Sequence, residues 1–95
     1  MVKFMACLES REQVRLPDGR YTPWVSRVGL EALRAILAQC AAKGDGRDAV
    51  ADLADVGLER LGVASFGDRC WVALRMAREA FEEVEMRGRL AEVGS

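Results

Sequence analysis

At 95 residues, 51% apolar and 31% charged, with a net charge of −1, the chain has room for one domain, taken as residues 1–95. This balance excludes a globally basic nucleic-acid binder, and no apolar run approaches the ~20 residues of a membrane span. There is no histidine to serve as a general base, and three cysteines without an imidazole cannot complete a four-ligand zinc site, so no cofactor and no metal are expected.

Twelve arginines stand against two lysines, and asparagine is absent. A GC-rich genome or a thermophilic host would each give this bias. The opening residues MVKFMACLES carry one lysine and a short apolar patch, too little for a secretory signal, so a cytoplasmic protein is expected.

Residues 2–8 read as a short mixed strand. Val14–Arg15–Leu16 and Arg20–Tyr21–Thr22 then flank Leu16–Pro17–Asp18–Gly19, where Pro at the second and Gly at the fourth position suit a type I turn. A small antiparallel hairpin within residues 1–22 follows, with an irregular arm as the alternative. Thr22 as cap and Pro23 in the first turn start a helix over residues 23–43, which Gly44 ends. Its apolar face is Val25, Gly29, Leu30, Leu33, Ile36, Leu37 and Cys40.

A second helix spans residues 48–61, with Val50, Leu53, Ala54, Gly57, Leu58 and Leu61 inward and an acidic outer face of Asp52, Asp55 and Glu59. Gly57 inside that stripe marks a close backbone approach. The third helix covers residues 68–93, with Asp68 as its cap. Cys70, Ala73, Leu74, Ala77, Ala80, Phe81 and Val84 recur at i, i+3, i+4, i+7 and form its core face. Unbroken, it would be roughly 39 Å long at about 1.5 Å per residue. A compact chain of this size is roughly 33 Å across. The helix must therefore break near Gly88 or project. The fold class is α+β and mostly helical: a short N-terminal β-hairpin followed by three helices, the last one long.

Catalysis has little to work with, since no nucleophile motif and no phosphate-binding loop is present and the paired carboxylates lie on solvated faces. Cys40 and Cys70 fall on buried faces, as small hydrophobes or, in a minority reading, as a cross-link. The stretch LERLGVAS, residues 58–65, resembles the first helix and turn of a helix-turn-helix. Leu58 and Asp68 depart from that pattern, which calls for a small residue and an apolar one there. The resemblance implies DNA contact through Ser65, Arg69, Arg75 and Arg78. The acidic face of the second helix and the five glutamates between Glu79 and Glu92 oppose it.

The long helix carries a second apolar line. Met86, Leu90 and Val93 share a face rotated from Val84, and Val72 and Met76 lie on the same line. Partner contact, a kink at Arg87–Gly88 or a frayed tail would each account for it. The leading expectation is a non-enzymatic protein-interaction or regulatory module. It would self-associate as a homodimer, or bind a protein partner, through Trp71, Val72, Met76, Met86, Leu90 and Val93. The alternative is a small helix-turn-helix-like DNA-binding regulator.

Overall fold

The computed structural model describes residues 10–93. In chain order it contains β1 (Arg11–Glu12), β2 (Val25–Ser26), α1 (Arg27–Lys43), α2 (Arg47–Arg60) and α3 (Phe66–Val93). This is the short antiparallel hairpin and three helices expected from the sequence, with the last helix long. The strand read over residues 2–8, and Cys7 with it, lie outside the described residues.

The hairpin is longer than expected and absorbs the start assigned to the first helix. Gly19, at φ +90°, donates its amide to the Leu16 carbonyl at 3.0 Å and closes the turn. Arg15 bridges Tyr21, and further from the turn Arg11 pairs with Ser26 and Glu12 with Val25. Between these pairings the second arm holds one extra residue, at Pro23–Trp24. Proline has no N–H to give the ladder, so a bulge belongs there.

Thr22 therefore caps nothing. Its buried hydroxyl accepts the Val14 amide at 2.9 Å and donates to the Pro23 carbonyl at 3.1 Å. The helix begins four residues later, where the Ser26 hydroxyl accepts the Gly29 amide at 3.0 Å. Gly44, at φ 101°, ends α1 in the left-handed conformation that glycine adopts without penalty.

All three helices close around one core, joined by Leu16 and Val25 of the hairpin and Val63 of the α2–α3 turn. Leu30, Leu33, Leu37, Ala38 and Ala41 turn inward from α1, and Val50, Ala54 and Leu58 from α2. Ile36 and Leu53, expected inside, are exposed. Gly57 is a close approach: a Cβ there would lie 2.6 Å from Leu33 Cδ1. Cys40 and Cys70 are half-buried free thiols with no cross-link.

α3 packs against both α1 and α2, which widens its buried arc and shifts it from the expected face. Val72, Ala73, Met76, Ala77 and Ala80 are buried, whereas Leu74 is exposed. Ser65, not Asp68, caps it, its hydroxyl accepting the Asp68 amide at 3.4 Å. The helix does not break at Gly88 but runs for 28 residues, about 42 Å at about 1.5 Å per residue. The longest dimension of the molecule is 46 Å. Among the described residues, no helix is long and apolar enough to cross a membrane.

Candidate protein-interaction surface

α3 divides at Val84. Up to that residue it is flanked by α1, α2 and the hairpin, and Phe81 and Val84 are its last side chains packed against the core. Beyond it, residues 85–92 are all exposed. Met86 is 60% and Leu90 65% accessible, one turn apart on a rod that projects from the body. Val93 closes α3, and its side chain lies outside the described residues. Ion pairs Glu83–Arg87 and Glu85–Arg89, both i, i+4, stabilise this stretch without covering its apolar side chains.

The other sequence-expected contacts separate into two groups. Val72 and Met76 are 1% and 3% accessible, part of this chain's own core, and present nothing to a partner. They share a helical line with Leu90, but α1 and α2 cover that line at their level and not at its end. Trp71 is 59% accessible and stands in a groove on the outer face of α3. The groove encloses about 490 Å³ between the hairpin turn at Pro17 and the start of α2 at Arg47, and Leu74, Arg75 and Arg78 form its floor. On the other side of Trp71 a second hollow of about 330 Å³ runs under Pro17 toward Asp68.

Two contacts set the position of the hairpin beside α3. Arg75 Nη2 donates to the Arg15 carbonyl at 2.6 Å, and Arg20 Nη2 lies 3.3 Å from Asp68 Oδ1. Arg20 also donates to the Asp18 carboxylate at 2.6 Å, and this hydrogen bond holds the Asp18 carboxyl below its usual range.

Of the four residues expected to meet DNA, Ser65 is occupied as the α3 cap. Arg69 is buried: it pairs with Asp55 at 2.9 Å and Glu59 at 3.5 Å, and donates to the carbonyls of Val63 and Ala64. That side chain ties the α2–α3 turn together and is only 10% accessible. Arg75 is committed to the hairpin, and Arg78 sits 3.7 Å from Glu82. Pro17, Arg47 and Leu74 complete the groove and were not legible as site residues. They come from three elements, and no local pattern connects them.

No family model matches the chain, and no curated protein or solved structure is significantly similar to it.

Proposed function

We propose that this chain is a small non-enzymatic interaction or regulatory module that self-associates through α3, in a cytoplasmic setting. The observation that supports this reading most is the projecting end of α3, where Met86 and Leu90 stand exposed on a helix already stabilised by its own ion pairs. An apolar line kept on a rigid rod outside the core is what a helix offers to another surface. A sequence without histidine supports the non-enzymatic part. Sedimentation equilibrium tests the reading: the wild type should run as a dimer, and Leu90→Glu as a monomer with unchanged helical circular dichroism. If Leu90→Glu leaves the mass unchanged, the projecting end is not the contact.

A DNA-binding regulator is the second reading, and one observation favours it: Arg47, Arg75 and Arg78 gather beside the exposed Trp71. The internal role of Arg69 removes the arginine best placed for a recognition helix. Binding to random duplex DNA that falls steeply between about 50 and 200 mM salt would promote this reading over the first.

A further inference from the structure

We propose, resting on the self-association reading above, that the partner of α3 is a second copy of this chain lying antiparallel to it. The acidic end of each α3 then lies along the Trp71 groove of the other, with Met86 on the hairpin flank of the contact.

Charge is the first argument. The groove gathers Arg47, Arg75 and Arg78 against a single acid, Asp48. The stretch from Glu79 to Glu92 holds five glutamates against two arginines. Along the outer side of α3, Arg75 and Arg78 are followed by Glu82, Glu85, Arg89 and Glu92, so the second half of that stripe is net acidic. Glu83 and Arg87 turn to the α1 side. Only an antiparallel pair sets each half against its opposite; a parallel pair would set arginine on arginine and glutamate on glutamate.

Spacing is the second. A two-fold axis at the level of Ala80 faces Arg78 with the second copy's Glu82, each two residues from the axis. It also faces Trp71 with the second copy's Arg89, each nine residues from the axis. The overlap from 71 to 89 is about 27 Å at about 1.5 Å per residue. Within one chain Arg78 and Glu82 stand 3.7 Å apart with both side chains mostly exposed, a loose pair. In the dimer the four groups alternate in a ring, so that each guanidinium has two carboxylates.

The flanks agree as well. The hairpin lies on the side of α3 that carries Asp68 and Arg75, as its contacts to those residues show. Met86 follows Arg75 by eleven residues, three full turns, and so returns to that side, whereas Leu90 lies further round, on the Val72 line. A two-fold axis normal to the plane of the helix pair keeps each flank on its own side. The second copy's Met86 therefore arrives beside Pro17 and Trp71, at a hollow that Leu16 also lines and that Asp18, Arg20 and Asp68 edge with charge.

Charge reversal tests the arrangement by sedimentation. Arg78→Glu leaves the ring of four groups all acidic, and Glu82→Arg leaves it all basic. Each variant alone should lose at least tenfold in dimer affinity while keeping its helical signal, and an equimolar mixture should recover a dimer. A parallel pair would respond otherwise, since reversal only exchanges one like-charge contact for another. Salt gives an independent reading on the unmodified chain, whose dimer should weaken from about 50 to about 500 mM NaCl. Reversed variants that remain dimeric, a mixture that fails to recover, or a salt-independent dimer would each overturn the antiparallel pairing. If Leu90→Glu still disperses that dimer, the α3 reading stands without the pairing; a wild type that stays monomeric to about 1 mM sinks both.

Discussion

The guanidinium of Arg69 donates from Nε to the Asp55 carboxylate at 2.9 Å and so ties the first turn of α3 to α2. The same side chain gives two further hydrogen bonds to the carbonyls of Val63 and Ala64, in the turn that joins those helices. One arginine thereby satisfies backbone acceptors that a tight five-residue connection would otherwise leave without donors. Replacing Arg69 with Ala should cost about 1–3 kcal/mol in urea unfolding, the range for leaving buried polar partners unmet. Arg69→Lys should recover little, because an ammonium cannot reproduce the guanidinium fork. A wild-type unfolding midpoint for Arg69→Ala would mean that water replaces these contacts.

Gly57 and Gly29 both sit under leucines, yet they should respond differently to Ala. At Gly57 the new Cβ would lie 2.6 and 2.8 Å from both methyls of Leu33 and 3.2 Å from its Cγ, so the whole side chain must move. Leu33 is buried and has nowhere to go. The overpacking cost of about 1–3 kcal/mol exceeds the roughly 1 kcal/mol that Ala gains over Gly as a helix former. At Gly29 the clash is with one methyl of Leu61, a half-buried side chain that can swing outward. Thermal unfolding should show Gly57→Ala destabilised and Gly29→Ala close to wild type. The reverse order would place the tight α1–α2 contact at the wrong glycine.

Gly88 meets no neighbour within 4 Å of where its Cβ would be, and α3 continues through it. Gly88→Ala should therefore strengthen the projecting turns by about 1 kcal/mol, the ordinary gain in an exposed helix interior. Hydrogen exchange reads this directly, as slower exchange at the amides of Leu90 and Ala91. Unchanged exchange there would argue that the helix ends before Gly88.

Much of the fold was legible in the residues because its signals are local. Pro17 to Gly19 specify a turn, Gly44 a helix end, and the apolar spacing of each helix its existence. The misplaced start of α1 shows where local signals compete. Thr22–Pro23 satisfies the grammar of a helix cap, but pairing of Val25 and Ser26 with Glu12 and Arg11 keeps the chain extended for four more residues. That choice depends on a strand more than ten residues away, which a cap pattern cannot see.

By itself the sequence determined that one proline-free segment would form a helix too long for its own globule, with apolar side chains on more than one face. Periodicity gives the angle of a side chain about its axis, and length gives the mismatch. Tertiary structure alone decided which face is spent. Packing between two helices buries Val72 and Met76 and leaves Leu74 and Trp71 outside, and it turns Arg69 into an internal brace. Packing also determines where the cover ends, just past Val84, so that Met86 and Leu90 remain available. The angle of a residue is a property of its own helix, whereas its burial depends on which neighbours reach that level of the axis.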